Sequence, residues 1–595
     1  MDQSRTSQQV GRTHRFAVFG LLFMLVVSLL PAASHSPVSI MSIAKIQPEL
    51  RVLASQQPEQ TLAVIVQKAT NGSGLTALIQ KLGGEVVYDL YIMNALAVDL
   101  PAGSLMRLAA SSDVGLIRLD GTMTSSAIEM APVDKKDPDP DPLNTYLETL
   151  GVSALRDADP NATGEGITIA ILDSGVANSP DFDKKRMLTR VGFNRDNHDK
   201  VSDRYGHGTH VAGIVAGNGE KSKGVYVGVA PEANLVSVKI GGDDGTGYES
   251  DTLAAMQWVL ANQAKYNIRV VNMSINSDNV VTYHQSATNA MAELMWMSGI
   301  VVVTSAGNTE NAVKSAPAND PFVITVGATS EMPGVTNDSD RTNDMIATYS
   351  ASSLIANSYT KPELVAPGNN IISILASTSK WKKEYPDRVV AKNQYFRASG
   401  TSMSAPMVAG AAALMLQAND ELTPGNIKCL LIQEATTLTQ AGQAHAYLDI
   451  QAAVNAASAP GATACLDPSE VAGIEHSLAI IPILAVVLNH GVDWDDIDWD
   501  ATGWDIDDWS SINWNSINWN SINWNSINWN SINWNSINWN SINWNSINWN
   551  SINWNSINWN SINWNSINWN SINWNSINWN SINWNSINWN SINWD

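Results

Sequence analysis

Residues 300–308 read Ile300-Val301-Val302-Val303-Thr304-Ser305-Ala306-Gly307-Asn308, a short apolar run that opens into a turn of small residues. A run of this length and composition is typical of a strand that is buried on both faces of a sheet. Similar runs recur along the chain, separated by helical segments such as Ser250–Tyr266: Ile167–Leu172, Leu235–Ile240, Val270–Ser274 and Val323–Val326. Short buried strands that alternate with helices predict an α/β fold, an open parallel sheet with helices on both faces, over residues 145–459.

The composition of the 595-residue chain excludes several classes of protein. Hydrophobic residues make up 44% of it, which is ordinary for a globular protein and too high for wholesale disorder. The formal net charge of −22 argues against a nucleic-acid partner, because nucleic-acid binders carry a basic surface. Two cysteines, Cys429 and Cys465, are too few for a fold that is built on disulfides. Whether these two pair or stay free thiols is left open by the sequence.

The first 34 residues have the pattern of an export signal. Three arginines precede an apolar run, Phe16–Leu30, and small residues suited to cleavage near Ala33 or Ser34 follow it. An uncleaved membrane anchor is the alternative, although the run is shorter than the ~20 residues that span a bilayer. We therefore expect residues 1–34 to be a signal peptide and the protein to be secreted, with retention at the cell surface as a further alternative.

A small block at residues 61–120 precedes the long α/β stretch. Its strands are predicted at Thr61–Val66, Glu85–Leu90, Ala95–Leu100 and Gly115–Leu119, and its helices at Leu75–Leu82 and Ser104–Ala110. This β-α-β-β-α-β order predicts a small α+β domain of the ferredoxin-like kind. A block of this size is marginally stable alone, so we expect it to depend on the rest of the chain. Residues 121–144, rich in Asp and Pro, then form a predicted extended linker.

A carboxylate and an imidazole stand at two turns of the α/β stretch. Asp173 ends the apolar run before Ser174-Gly175, which on its own is common turn chemistry. His207 lies between two glycines that clear space around its ring. His210 follows three residues later, so a metal-binding pair is an alternative, although the spacing is not that of metallopeptidases and no Glu lies between them.

A third motif, Ser399–Pro406, runs into a small-residue helix. We expect Pro406 in the first turn of this helix, which places Ser402 at its N-terminus, where backbone N–H groups favour a developing anion. A helix-capping serine is the structural alternative, and Ser402 and Ser404 both compete for that role.

The four groups that acyl transfer requires are present together. Asp173, His207 and Ser402 follow one another in a known order of triad residues, and Asn308, at the end of the opening stretch, supplies an amide donor for an oxyanion.

On these motifs, residues 145–459 resemble the subtilisin-like serine proteases; Gly228–Ala233 and Val271–Ile275 also match. The resemblance implies that Ser402 is the nucleophile and His207 the general base and then acid. It implies that Asp173 orients the imidazole and that Asn308 donates to the oxyanion, and it implies no cofactor for catalysis.

The same resemblance implies how a peptide substrate binds. Ser274-Ile275-Asn276 and the stretch around Gly245 would clamp it as an added strand, and Ser305-Ala306-Gly307 would line the pocket for the residue before the cleaved bond. Asn276 stands where many relatives have Gly. Asp181 matches the position of a structural calcium ligand, but residues 217–224 do not match the family's calcium loop.

The block at 61–120 resembles the inhibitory propeptide of this family, so we expect self-cleavage within residues 121–144. An unrelated small domain is the alternative. The predicted function is a secreted serine endopeptidase of broad, apolar-leaning specificity for protein or peptide substrates. A catalytically idle, surface-attached binding protein is the alternative from another class.

The C-terminal part holds most of the tryptophan. Of 24 Trp residues, 21 lie at every fifth position from Trp494 to Trp594, after a connector at residues 460–492. The tail, residues 493–595, starts with an Asp-rich segment and continues in 17 copies of Ser-Ile-Asn-Trp followed by Asn or Asp. A β-solenoid stalk or attachment module is one interpretation. Stacking of Trp on a cell-surface polymer and self-association of a disordered tail are the other two.

Overall fold

The structure is a computed structural model. It describes residues 45–69, 74–125, 144–195, 200–309, 312–331, 339–354, 359–392, 394–472, 474 and 476–477, together with the backbone of 513–515, 518–520, 523–525, 528–530, 533–535 and 538–594. The predicted signal peptide and the acidic lead-in of the tail lie outside these ranges. Within them, no helix is both long and apolar enough to cross a bilayer.

The N-terminal body is a four-stranded antiparallel sheet with helices on it. Its elements are α1 Pro48–Gln56, β1 Thr61–Lys68, α2 Gly74–Lys81, β2 Glu85–Leu90, β3 Ala95–Pro101, α3 Leu105–Ala109 and β4 Val114–Leu119. The strand order is β2-β3-β1-β4. The predicted β-α-β-β-α-β order is present, but the body starts earlier than residue 61, because Leu50 of α1 and Ile46, which lies just before that helix, both belong to the same core.

The α/β body that follows contains the remaining helices and most of the strands. Its strands begin with β5 Thr122–Ser125, β6 Thr168–Asp173, β7 Met187–Gly192, β8 Asn234–Lys239, β9 Thr246–Tyr248, β10 Ile268–Met273, β11 Ile275–Ser277 and β12 Val301–Ser305. They continue with β13 Ile324–Glu331, β14 Asp344–Ile346, β15 Ser353–Leu354, β16 Thr360–Lys361, β17 Leu364–Pro367, β18 Ile371–Ile374, β19 Val389–Val390, β20 Tyr395–Ala398, β21 Thr436–Gln440 and β22 Gln443–Tyr447. Its helices are α4 Tyr146–Thr149, α5 Val152–Ala158, α6 His207–Ala216, α7 Glu249–Tyr266, α8 Ala287–Met297, α9 Lys380–Glu384, α10 Thr401–Ala418, α11 Pro424–Gln433, α12 Ile450–Ala457 and α13 Pro468–Val471.

The central sheet has the strand order β21-β22-β17-β13-β12-β10-β6-β8-β7. The strands from β22 to β7 run parallel, while β21 and the side strand β14 pair antiparallel, so the predicted parallel sheet is a mixed one. Helices α6, α10 and α12 pack together on it, and α7 packs with α8. Both groups lie against β10 and β12 and thus cover the two faces, which explains why β6 and β12 are buried along their whole length.

Part of the predicted linker is a strand. β5 lies between β11 and β9 in a three-stranded antiparallel sheet, with Ser125 opposite Ile275 and Met123 opposite Gly247. The chain thus leaves the N-terminal body and runs directly into the α/β body. The Asp-Pro residues further along the linker lie outside the described ranges.

The described part of the connector packs on the α/β body. Cys465 is disulfide-bonded to Cys429 of α11, with 5.8 Å between the two Cα atoms, which resolves the alternative that the sequence leaves open. The buried Lys428 ammonium lies 3.5 Å from the Asp467 carboxylate, and Ser477 N–H donates to Glu293 at 2.9 Å. The apolar run 478–488 lies outside the described residues.

The repeat backbone pairs in parallel with itself. The strands are β23 Asn513–Asn515, β24 Asn518–Asn520, β25 Asn523–Asn525, β26 Asn528–Asn530, β27 Asn533–Asn535 and the continuous extended segment β28 Asn538–Trp594. Trp514 lies opposite Trp534, and Trp519 lies opposite Trp539. Each pairing joins residues that are four pentapeptides apart.

Candidate active site

Asp173 and His207 form a buried pair at the carboxyl end of β6. His207 is the first residue of α6, and its Nδ1 lies 2.7 Å and 2.9 Å from the two carboxylate oxygens of Asp173. Both side chains are fully buried. Gly208 makes this approach feasible, since a Cβ there would lie 2.3 Å from the Gly175 carbonyl oxygen. The carboxylate therefore fixes the imidazole with Nε2 free to act.

A second buried carboxylate holds this pair in place. Asp203 accepts hydrogen bonds from Ser174 Oγ at 3.0 Å and from the N–H and hydroxyl of Thr209 at 2.9 and 2.6 Å. Ser174 N–H in turn donates to Asp173 at 2.7 Å, and Lys239 Nζ donates to the Ser174 carbonyl at 2.7 Å. Burial raises the pKa of Asp203 and lowers the pKa of Lys239. The network ties the loop before α6 to the end of β6.

Ser402 lies in the first turn of α10, beside the end of β10. Its Oγ donates to the Ser274 carbonyl at 3.4 Å, and Ser274 Oγ donates to the Ser402 carbonyl at 3.2 Å. Because β10 pairs with β6, with Met273 opposite Leu172, these serines stand at the sheet edge that carries Asp173. His207 Nε2 is buried and has no hydrogen-bond partner among the described residues. No hydrogen bond joins Ser402 to His207 in the structure; catalytic hydrogen bonds often tighten only in the reacting complex.

Pro406 is one turn further into the helix than the sequence predicts. The helix starts at Thr401, its N-cap is Gly400, and no side chain caps it. The interpretation of Ser402 or Ser404 as a capping residue is therefore wrong. Ser404 Oγ instead donates to the carbonyls of Ala366 and Pro367 at 3.0 and 3.1 Å, away from the pair of Asp173 and His207.

Asn308 is fixed by the residue before the serine. Its Oδ1 accepts from Thr401 N–H at 2.9 Å and from Thr401 Oγ1 at 3.0 Å. Thr401 Oγ1 also accepts from Gly307 N–H at 3.0 Å. With its oxygen held in this way, the amide turns its N–H₂ group to the other side, beside Gly400. The Nδ2 group is therefore the part of the amide that is left to donate, while Oδ1 is engaged by Thr401.

Trp381 belongs to no catalytic sequence motif, and its side chain packs against the ring of His207. Its ring meets the His207 ring edge-on at 5.5 Å, and Tyr205 packs on Trp381 at 5.7 Å. His210 packs on the same tryptophan, and its Nε2 lies 3.0 Å from the Phe396 carbonyl. Burial lowers the pKa of His210 to about 3, so it is neutral. The two histidines have separate partners, and no cluster of metal-ligating side chains occurs in the described ranges.

The residues predicted to clamp a peptide line a cleft that β5 occupies. Ser125 N–H donates to the Gly245 carbonyl at 3.1 Å on one side, and Ile275 and Asn276 pair with β5 on the other. Gly245 has a positive φ of 89° and lies against Tyr205, whose ring a Cβ would approach to 2.4 Å. Ser305, Ala306 and Gly307 lie buried at the end of β12. The predicted binding residues are therefore brought together around Ser402.

An ionic cluster joins the N-terminal body to α7. Arg195 bonds Asp99 at 2.8 Å and also Asp120, both from the N-terminal body, and it lies 4.0 Å from Asp251 of α7. Tyr88 OH donates to Asp251 at 3.0 Å. Burial raises the pKa of Asp251 to about 7 and also raises the pKa of Asp120. Three carboxylates thus share one buried guanidinium.

Asp181 has a hydrogen-bond donor on each carboxylate oxygen. Lys221 N–H donates to Oδ1 at 2.7 Å, and the buried Tyr395 hydroxyl donates to Oδ2 at 2.7 Å. Each oxygen thus has a partner from the protein itself, and a calcium ion at this position would share the carboxylate with these two donors. Calcium at this position stays a prediction that chelation tests.

Several residues that build the site were not predicted from the sequence. Thr401 is adjacent to Ser402 in its motif, and that adjacency was the available signal. Trp381, Asp203, Lys239 and Arg195 lie outside any chemical pattern, because their roles depend on contacts between distant segments.

Comparisons with known proteins show that the chain is similar to the subtilisin-like serine proteases. A model of the subtilase family matches residues 164–447. Serine protease AprX of Bacillus subtilis is 36% identical over 282 residues, 45% of this chain and 61% of AprX. Subtilisin BL of Lederbergia lenta is 32% identical over 276 residues, 46% of this chain and 86% of that protein. The crystal structure of fervidolysin from Fervidobacterium pennivorans, a keratinolytic enzyme related to subtilisin, superposes with a TM-score of 0.51 at 22% identity and shares the fold. The superposition covers 67% of this chain and 61% of fervidolysin. This chain therefore spans less than two thirds of the length of both AprX and fervidolysin.

Proposed function

The chain belongs to the subtilase family, and on this premise we propose that it is a secreted serine endopeptidase acting on protein or peptide substrates. The observation that carries the proposal is the buried Asp173–His207 pair, whose free Nε2 stands at the same sheet edge as Ser402. The disulfide between Cys429 and Cys465 agrees with export, since disulfides persist in oxidising compartments.

The reaction follows from these groups. Ser402 Oγ attacks the substrate carbonyl while His207 Nε2 takes its proton, and Asp173 stabilises the imidazolium. The oxyanion receives hydrogen bonds from Asn308 Nδ2 and from the backbone N–H of Ser402 at the start of α10. His207 then protonates the leaving amine, and an acyl-enzyme on Ser402 is hydrolysed by water activated by the same histidine.

The N-terminal body acts as an inhibitory propeptide in this proposal. β5 is hydrogen-bonded on both edges inside the cleft, as an added substrate strand would be, and Met123 is almost completely buried there. The apolar sheet face of the body, including Ile65 and Ala97, merges with the core of the α/β body. A self-cut within residues 121–144 would free the cleft.

The tail winds as a β-solenoid in this proposal. A chain that pairs in parallel with itself at a constant offset of four pentapeptides has to coil, and identical residues then stack above one another. Such a rod would serve as a stalk or as an attachment module that retains the protease at the cell surface.

Labelling with a fluorophosphonate probe tests the enzymatic proposal. The processed protein should be labelled at Ser402, and Ser402→Ala should abolish labelling and accumulate as the uncut precursor. Ser404→Ala is the matched control, because its hydroxyl bonds Ala366 and Pro367 instead of facing the cleft. Absence of label on correctly folded, processed protein would instead support the catalytically idle alternative.

A further inference from the structure

Two walls flank Ser402 in the cleft. One is Ser274-Ile275-Asn276, which is tied to Ser402 by the paired hydrogen bonds of Ser274. The other is Ser305-Ala306-Gly307, which is tied to the residue before Ser402 because Gly307 N–H donates to Thr401. The gap between these walls therefore lies beside Ser402.

The side chain of Asn276 bridges the gap. Its Nδ2 donates to the Ser305 carbonyl at 3.4 Å, and Asn276 is only 5% exposed while Ser305 is fully buried. The amide therefore occupies space that a glycine at the same position would leave empty.

The strand register shows that the amide and the substrate side chain share one face. In β5, Thr124 lies opposite Asn276. A substrate strand that follows the same register places a second residue, two positions later, opposite Ser274, whose carbonyl accepts a hydrogen bond from Ser402 Oγ. Residues two apart on a strand point to the same face, and so do residues directly opposite each other. This second residue thus points its side chain toward the Asn276 amide.

We propose that Asn276 shortens this pocket, so that the protease cleaves after small side chains such as Ala and Ser and rejects large apolar ones. The inference rests on the proposed function and replaces the apolar-leaning specificity expected from the sequence. The chain's own sequence is consistent with it: the residue after Ser125 is Ser126, followed by Ala127, both outside the described ranges. A first self-cut between Ser126 and Ala127 is therefore the expected outcome.

Peptide anilides of the series acyl-Met-Thr-Ser-X test the pocket, with X as Ala, Ser, Leu or Phe and active sites counted by fluorophosphonate titration. The wild-type protease should cleave after Ala and Ser with kcat/KM at least ~10-fold above that for Phe, a range that pocket sterics can supply. Asn276→Gly should raise kcat/KM for the Phe substrate by ~10-fold or more, and the ratio of kcat/KM for Ala to kcat/KM for Phe should fall accordingly. Asn161→Gly, on an exposed loop, is the matched control and should keep the wild-type ratio.

Two results would overturn the inference. One is a wild-type preference for Leu or Phe, and the other is an unchanged ratio in Asn276→Gly. If that variant does not fold, Asn276→Ser serves in its place, and it should also raise kcat/KM for the substrates in which X is Leu or Phe. N-terminal sequencing of the processed protein should begin at Ala127. Labelled protein with a preference for large residues refutes the pocket inference alone, whereas unlabelled protein refutes the proposed function.

Discussion

Ser274 and Ser402 hydrogen-bond each other in both directions, side chain to carbonyl, at 3.2 and 3.4 Å. The Ser402 carbonyl can accept the first of these bonds because Pro406, four residues later, has no N–H to offer it. The proline in the interior of α10 therefore leaves the backbone of Ser402 tied to Ser274. The geometry of Ser402 is thus fixed from outside its own helix.

Loss of the Thr401 hydroxyl should slow the chemical step. Thr401→Val removes the bridge between Asn308 Oδ1 and Gly307 N–H while keeping the side-chain shape. We expect kcat to fall by ~10-fold with little change in KM, because Asn308 acts on the transition state; removing such a donor outright costs ~10²–10³. Steady-state kinetics on one peptide anilide measure this. Thr401→Ser should keep most of the rate, and an equal loss in Thr401→Ser would argue against the bridging role.

Release of the N-terminal body after processing should become faster as the pH rises. Burial raises the pKa of Asp251 to about 7 and also raises the pKa of Asp120. Asp251, Asp120 and Asp99 share one cation, the guanidinium of Arg195. Tyr88 and the backbone N–H of Tyr248 also face Asp251. Separation restores water and lowers both pKa values, so the complex binds more protons than its separated parts.

The sign follows from this proton balance. Affinity is highest at acidic pH and falls as the pH rises through about 7, by up to ~10-fold per pH unit for each proton. The lag before full activity, measured at pH 6 and pH 8 on the same processed complex, should be shorter at pH 8. Asp251→Asn should flatten the difference between the two lags. A longer lag at pH 8 would contradict the carboxylate cluster as its cause.

Removal of the disulfide should destabilise the α/β body. Cys429 and Cys465 are 36 positions apart in the chain, and closing a loop of that size stabilises the fold by ~3–4 kcal/mol in the chain-entropy model. Urea unfolding of the fluorophosphonate-inhibited double variant Cys429→Ser/Cys465→Ser should show a lower midpoint than the inhibited wild type. An unchanged midpoint would mean that the contacts of Lys428 with Asp467 hold the connector without the disulfide.

Chelation of calcium should leave the loop around Asp181 stable. Both carboxylate oxygens already accept hydrogen bonds, from Lys221 and Tyr395, so EDTA should not shift the unfolding temperature of the inhibited protein. Tyr395→Phe should destabilise it by ~1–3 kcal/mol, because a buried carboxylate oxygen loses its donor. A large downward shift with EDTA, reversed by added calcium, would show that the native protein binds a stabilising calcium ion; loss of that shift in Asp181→Asn would place the ion at Asp181.

Local pattern was enough to predict the central strands and the chemical groups. The opening run at residues 300–308 contains strand β12, which ends at Ser305, and Asn308 follows three residues later. Asp173 is the last residue of β6, and His207 is the first residue of α6. Strands that are buried on both faces consist of short continuous apolar runs, which are easy to identify in a sequence. Gly208, next to His207, lies so close to the Gly175 carbonyl oxygen that a side chain would collide with it. Helix boundaries were less predictable, as the position of Pro406 illustrates.

The sequence by itself determined the α/β architecture and the family resemblance, and it predicted four reacting groups, because each of these inferences depends on local spacing and residue chemistry. Only the tertiary structure decided that residues 122–125 form a strand inside the cleft, that Asn276 reaches Ser305, that Trp381 backs His207 and that Cys429 meets Cys465. These are contacts between segments far apart in the chain. They arise when the parallel sheet brings strand ends to one edge, and no local pattern encodes which distant side chains will meet there.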